Sequence, residues 1–196
     1  MNQAAIPGYT YGTDAVPRSP VGLQELEPLK ATLLLGEDDL AALRRSGDLL
    51  AGRVEEILDV WYGFVGANPH LLAAFTGPDG QPDEAYLAAV RRRFGQWILD
   101  TARADFDQAW LDYQYEIGLR HHRTGKNRTD GAVAADHIPL RYVLALLVPI
   151  TTTLRPFLAG GGDGGEELEA MHQAWVKAVL LQVILWSQPY VRDGDF

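Results

Sequence analysis

Residues 109–124 read AWLDYQYEIGLRHHRT, and this stretch determines the fold class. Its apolar side chains recur at intervals of three and four residues, the spacing that places them on one face of an α-helix. The members of this stripe are Trp110, Tyr113, Ile117 and His121. His121 therefore ends an apolar face, whereas His122 lies on a more mixed one. The pattern predicts a helix over 105–122 in which His121, rather than His122, points inward.

The same helical period runs through most of the remaining chain, and no convincing strand alternation interrupts it. The clearest second stripe consists of Val54, Ile57, Leu58, Trp61 and Val65. The predicted helices begin at Leu23 and Glu37 and then cover 54–66, 68–75, 87–101, 105–122, 138–158 and 166–187. Pro149 is expected to kink the helix over 138–158, and the glycine-rich run 160–165 is expected to be a linker. The sequence therefore predicts an all-α domain.

Residues 1–20 contain several prolines and glycines, which predict an irregular extended arm rather than a helix. The arm also carries Ile6, Tyr9 and Tyr11, which is more apolar surface than a free tail usually has. We therefore expect the arm to pack against residues 21–196, which form the helical core of a single domain spanning 1–196.

The overall composition excludes several classes of protein. The 196 residues include 17 Lys and Arg against 26 Asp and Glu, a net charge of −9 that argues against general binding to nucleic acid or to an anionic membrane. The 47% of hydrophobic residues indicates a folded chain. No cysteine is present, which rules out disulfides, thiolate zinc sites, iron–sulfur clusters and c-type haem attachment.

Targeting and membrane signals are weak in this sequence. The N-terminus lacks the basic start and apolar run of a signal peptide. The longest apolar runs, Tyr142–Ile150 and Ala174–Trp186, are shorter than the roughly 20 residues that a membrane helix needs. We therefore expect a cytoplasmic protein with no membrane partner.

The chain offers few residues for chemistry. None of the five histidines has the spacing of a zinc helix motif. His121 could be a core-edge histidine bonded to a carbonyl oxygen, or a metal ligand. Tyr62 could be an ordinary core aromatic, or a hydroxyl that serves a site. The run Arg91–Arg93 could be a solvated face, or a contact for an anion such as a cofactor carboxylate.

Several longer motifs together resemble one family. They are IPGYTYG at 6–12, WYGFVG at 61–66, YLAAVR at 86–91, WILD at 97–100, the stretch 109–124 and the closing segment 182–196. These motifs are similar to those of the protoglobins, single-domain haem proteins related to the sensor modules of globin-coupled sensors. The resemblance covers essentially the whole chain. It implies a globin fold with an additional N-terminal helix and an extended N-terminal arm.

The resemblance also implies a haem b site. The proximal iron ligand of the family falls on His121, the histidine that the helical stripe also selects. The other residues expected around the cofactor are Trp61, Tyr62, Phe94, Arg93, Leu146, Ile150 and Ile117. Trp61, Tyr62 and Phe94 would face the gas on the distal side, and Arg93 would contact a haem propionate. Leu146 departs from the phenylalanine of the family, which would open space beside the haem.

The function implied by the resemblance is reversible binding of O2, CO and NO at a five-coordinate iron, for gas binding or sensing. The arm would cover the haem, and the two last long helices would form a homodimer. A haem enzyme is the alternative, with nitric oxide dioxygenase, peroxidase-like or, if engineered, carbene-transfer activity. A haem-free helical interaction domain is the third functional hypothesis.

Overall fold

The computed structural model describes residues 5–159, 165–192 and 194–196, and the regular structure in these residues is helical. The α-helices are α1 (Leu23–Thr32), α2 (Glu37–Leu50), α3 (Val54–Gly66), α4 (Pro69–Leu72), α5 (Glu84–Arg103), α6 (Gln108–His121), α7 (Leu140–Ala145), α8 (Leu147–Leu154) and α9 (Gly165–Ser187). Short 3-10 helices occupy Ala73–Phe75, Arg155–Ala159 and Gln188–Tyr190. The all-α prediction is confirmed. The predicted linker 160–165 lies outside the described residues, apart from Gly165.

Aspartate caps set the first residues of the two helices that matter most for the site. The side chain of Asp83 accepts a hydrogen bond from the Tyr86 N–H, and that of Asp107 accepts one from the Trp110 N–H. Each carboxylate thereby satisfies a backbone donor that has no partner within the helix. Helix α6 consequently begins at Gln108, later than the helical period alone indicates.

Helix α9 forms the centre of the core. It packs against α2, α6 and α8, and its buried side chains include two tryptophans. Three buried indoles each donate to a side-chain oxygen: Trp97 to Gln182, Trp175 to Ser46 and Trp186 to Gln114. The buried polar groups are therefore paired, and these pairs tie α9 to α2, α5 and α6.

The helix predicted over 138–158 is interrupted at Leu146, between α7 and α8. Pro149 lies in the first turn of α8, where its missing N–H leaves no helical hydrogen bond unmade. Its ring would clash with the carbonyl of Ala145 if the helix ran straight through. The break therefore falls one turn before the proline, as the kink prediction requires.

The segment Leu140–Ala159 corrects one expectation from the sequence. Among the described residues it is the one helical segment long and apolar enough to cross a membrane: a window of 18 residues in it has a mean hydropathy of 1.5, and 28% of that window is buried. The apolar run continues past Ile150 because no charged residue lies between Tyr142 and Leu154. Core helices of soluble proteins meet the same criterion, so this segment is weak evidence for a membrane.

The N-terminal arm lies against α5 and α6. The Tyr9 hydroxyl donates to the buried carboxylate of Asp100, with 2.7 Å between the oxygens. The rings of Tyr9 and Tyr11 both meet the Tyr113 ring edge-on, at centroid distances of 5.4 and 5.3 Å. Arg120 donates to the Gly8 carbonyl at 2.8 Å. The aromatic residues of the arm are thus used for packing.

Candidate functional site

His121, the last residue of α6, is oriented by its own helix. Its Nδ1 lies 2.8 Å from the carbonyl oxygen of Ile117, one turn earlier. Since a carbonyl only accepts, Nδ1 carries the proton and Nε2 carries the lone pair. Nε2 has no protein partner and is not sealed from solvent within the described structure. The imidazole therefore presents a basic nitrogen to accessible space.

Burial keeps this imidazole neutral. Loss of solvent around the ring lowers the pKa of His121, and the positive charges of Lys126 and Arg120 lower it further. The hydrogen bond to Ile117 opposes this shift but does not reverse it. A neutral imidazole with one nitrogen bonded to a carbonyl is the form that binds a transition metal.

Trp186 of α9 packs against one face of the His121 ring. The two rings are stacked, with centroids 5.5 Å apart and planes 11° apart. Gly118 makes this contact possible, because a Cβ at this position would lie 3.0 Å from the Trp186 carbonyl oxygen. The missing side chain lets α6 approach the backbone of α9 one turn before His121. Trp186 is in turn held by its hydrogen bond to Gln114.

His122 has a different environment. It caps α6 with extended backbone, and its Nδ1 lies 3.1 Å from the Thr124 hydroxyl. Its ring meets Tyr190 edge-on at 4.9 Å. No helix packs a flat ring against it as Trp186 packs against His121. The two neighbouring histidines are thus clearly distinct.

Three of the expected distal residues come together between α3, α5 and α8. Trp61, Phe94 and Ile150 line one apolar cavity of about 10 Å³, with Trp97 and Trp175 on its inner side. The rings of Trp61 and Phe94 meet edge-on at 5.6 Å. The cavity volume is at the lower limit for one water molecule, so the cavity is small as well as apolar.

Tyr62 lies on a neighbouring face of α3. Its ring meets Phe75 edge-on at 6.5 Å, and the Arg91 guanidinium lies 5.6 Å from its centre. Burial raises the pKa of Tyr62, so the phenol stays protonated. Its hydroxyl has no protein partner among the described residues and is not sealed from solvent. Tyr62 is therefore a hydrogen-bond donor available to a ligand.

Four of the residues expected around the cofactor do not line this cavity: Tyr62, Arg93, Ile117 and Leu146. Leu146 lies at the break between α7 and α8 and does not line it. Arg93 makes a bidentate bond to Asp130, with nitrogen–oxygen distances of 2.9 and 2.6 Å, and donates to the Pro7 carbonyl. Two of its five N–H groups stay available, so a propionate contact remains a prediction for Arg93.

The donor set fits haem better than a metal held by protein alone. No group of three or more His, Asp or Glu side chains with metal-binding geometry occurs among the residues that the structure describes. A structural zinc site needs about four such ligands. Haem supplies four nitrogens itself and takes one axial histidine from the protein. A neutral His121 whose Nε2 has no protein partner among the described residues meets that requirement.

Sequence reasoning misses Trp186, the ring on which His121 is stacked. Trp186 lies on a different helix, and nothing in the local pattern around His121 indicates the contact. Trp97 reads as an ordinary member of the α5 stripe, yet it touches both Trp186 and Phe94, at centroid distances of 6.0 and 5.3 Å. Successive ring contacts therefore lead from His121 to the cavity, through Trp186, Trp97 and Phe94.

Comparison with known proteins identifies the fold and the family of the chain. No curated protein matches the chain. The globin domain of a globin-coupled sensor from Geobacter sulfurreducens has a similar structure, with a TM-score of 0.66 and 15% identity over 85% of this chain and 97% of that domain. That likeness shows a globin fold. The family model described as Protoglobin matches residues 23–196. The chain therefore belongs to the protoglobin family.

Proposed function

We propose that this protein is a haem b globin that reversibly binds O2, CO and NO, for gas binding or sensing. One observation carries the proposal: His121 holds its proton on the side of Ile117 and leaves Nε2 free, with its ring fixed by Trp186. A bound haem would supply an iron with one open position for a gas. The test is spectroscopic, since a bound haem gives a Soret band that CO shifts.

The residues of the chain would have different roles on the two sides of a bound haem, the side of the iron ligand and the side of the gas. His121 would hold the iron as a neutral ligand, and Ile117 and Trp186 would fix its orientation. Trp61, Phe94 and Ile150 would exclude water from the gas side, because the side chains that line their cavity are mostly apolar. Tyr62 would donate a hydrogen bond to dioxygen, with the Trp61 N–H as a second donor.

Tyr62→Phe is expected to release dioxygen about fivefold faster than the native protein. Loss of one hydrogen bond costs about 1 kcal/mol, which corresponds to roughly that factor in rate. The measurement is the O2 dissociation rate by stopped flow. The CO dissociation rate is an internal control, because CO is a poor acceptor and its rate should change much less. An unchanged O2 rate, or an equal change for both gases, would remove Tyr62 from the gas site.

We further propose that the N-terminal arm covers the haem crevice. The two arginines that bind the arm flank the site: Arg93 precedes Phe94, and Arg120 precedes His121. Arg93 holds the Pro7 carbonyl, and Arg120 holds the Gly8 carbonyl and the Thr10 hydroxyl. These bonds join the arm to both α5 and α6, the helices of Phe94 and His121, and this supports a covering role for the arm.

We also propose a homodimer formed through the segment 140–159 and α9. Leu144 and Val148 are one helical turn apart and are 48% and 65% exposed. Val176, Leu180 and Ile184 on α9 are only partly buried and follow one stripe. Apolar side chains exposed as a row, rather than singly, are typical of an interface.

Val148→Asp is expected to convert the dimer to a monomer, because two-fold symmetry would bury two carboxylates near one another. Sedimentation at several concentrations measures the mass. Val133→Asp is the matched control, since Val133 is 67% exposed but lies in the loop before α7, away from this row. A native protein that stays monomeric at high concentration, or equal effects of both substitutions, would contradict the interface.

A further inference from the structure

Trp186 places an easily oxidised ring against the residue proposed to hold the haem iron. Its indole is stacked on the His121 imidazole, with centroids 5.5 Å apart and planes 11° apart. In a chain without cysteine, indole and phenol rings are the side chains that most readily give up one electron, and this chain contains no cysteine. The proposed gas chemistry uses the shape of the Trp186 ring but not this property.

Two further indoles continue from Trp186 into the core. The Trp97 ring lies 6.0 Å from the Trp186 ring, and the Trp175 ring lies 6.3 Å from the Trp97 ring, both measured between centroids. All three residues are buried, and none is more than 7% exposed. Electrons pass readily between aromatic rings in such contact. We call these three rings the indole chain, and it forms a path for electrons that begins at His121.

The indole chain has no base to receive a proton. Each N–H group donates to a neutral oxygen: Trp186 to Gln114 Oε1 at 2.9 Å, Trp97 to Gln182 Oε1 at 2.6 Å and Trp175 to the Ser46 hydroxyl at 2.8 Å. These acceptors are buried as well. An amide or hydroxyl oxygen accepts a hydrogen bond but does not take up the proton. An indole that lost an electron would therefore keep its N–H proton and become a cation radical.

The charges around the indole chain favour movement of a positive charge from Trp186 toward Trp97. Lys126 and Arg120 act as positive charges on His121, the residue on which Trp186 is stacked. Asp100 is a buried acidic residue on α5, three residues after Trp97 and thus on the same side of that helix. A cation is less stable near like charges and more stable near a carboxylate.

We propose that Trp186 is a redox-active residue, which gives one electron to the haem site when a hydroperoxide reacts there and shares the resulting cation radical with Trp97. The proposal rests on the haem-binding function proposed above and adds a peroxidase-type activity to it. The O–O bond of hydrogen peroxide breaks, and the peroxide takes up two electrons and two protons to give two water molecules. One electron comes from the iron and the other from Trp186. Two molecules of a phenolic reductant then return one electron each, and each releases the one proton that balances the reaction.

The test is electron paramagnetic resonance of the ferric holoprotein, frozen soon after it is mixed with hydrogen peroxide. The native protein should show a protein radical whose spectrum narrows when the protein contains ring-deuterated tryptophan, but not when it contains ring-deuterated tyrosine. Adding guaiacol, a phenolic reductant, should remove the radical and give the oxidised phenol. This labelling needs no substitution, so it does not depend on whether a variant folds.

Trp186→Phe separates the redox role of Trp186 from its packing role. The variant should still take up haem and bind CO, because a flat ring still packs against His121, but it should show no tryptophan radical. Trp110→Phe is the matched control, since Trp110 is also buried but its ring meets Phe106 on the edge instead of the indole chain. The control should keep the native signal. Trp97→Phe should shorten the lifetime of the radical, because the positive charge then stays at Trp186.

The outcomes distinguish failure of this inference from failure of haem binding. The Soret band of the same samples reports whether haem is bound before peroxide is added. A holoprotein that binds CO but forms no radical, or a radical that resides on tyrosine, would overturn the redox role of Trp186 alone. A tryptophan radical that persists unchanged in Trp186→Phe would do the same. A native protein that takes up no haem would overturn both proposals.

Discussion

His121→Ala is expected to lose its haem, with an affinity more than roughly 100-fold below that of the native protein. Changing only the residues behind a metal ligand already costs about 10–100-fold, and here the ligand itself is removed. The substitution leaves the walls formed by Trp61, Phe94 and Ile150 intact. Titration of the purified variant with haem, followed at the Soret band, measures the loss.

His122→Ala is the matched control for this experiment. The two histidines are adjacent and chemically identical, yet only His121 is stacked on Trp186 and bonded to Ile117. His122→Ala should bind haem as the native protein does. Adding free imidazole should restore part of the haem binding of His121→Ala, because the cavity left beside Trp186 can accept the ring. Loss of haem in His122→Ala alone would reverse the assignment.

Trp175→Ala is expected to produce the largest loss of stability. Trp175 is fully buried in α9, and its ring meets Trp97 edge-on at 6.3 Å. Removing such a side chain lowers the free energy of unfolding by about 3–5 kcal/mol. For a protein of this size that corresponds to a fall in Tm of roughly 10 °C. Denaturant unfolding followed by circular dichroism measures the change in free energy.

Two further substitutions separate the contributions of volume and hydrogen bonding at Trp175. Ser46→Ala removes the acceptor 2.8 Å from the indole nitrogen and should cost about 1–3 kcal/mol, since the N–H stays buried without a partner. Trp175→Phe keeps an aromatic ring and should cost less than Trp175→Ala. A Trp175→Ala variant that loses less than about 1 kcal/mol would show that α9 is not the centre of the core.

Helical periodicity predicts most of the architecture because most helices bury one face. The stripe from Val54 to Val65 predicts 54–66, and α3 is Val54–Gly66. Periodicity predicts the ends of helices less well, because capping side chains determine where a helix begins. The Asp107 side chain moves the start of α6 to Gln108, although the apolar pattern is compatible with an earlier residue.

His121 could be selected from sequence because an apolar stripe distinguishes it from His122. Its stacking partner could not, because Trp186 comes from a helix far along the chain. The contacts of the run Arg91–Arg93 were likewise not predictable from the sequence pattern. Arg91 pairs with Glu55 and Asp59, whereas Arg93 pairs with a loop residue, Asp130, that has no periodic pattern. Two identical side chains of one run thus acquire different roles through tertiary contacts.

The most direct test of the central claim is the absorption spectrum of the purified native protein, reduced and then exposed to CO. The claim is that His121 holds a haem iron with one position open to a gas. The account predicts a Soret band that shifts on adding CO, with one CO bound per chain. A protein that takes up no added haem, or a Soret band that CO leaves unchanged, would contradict it.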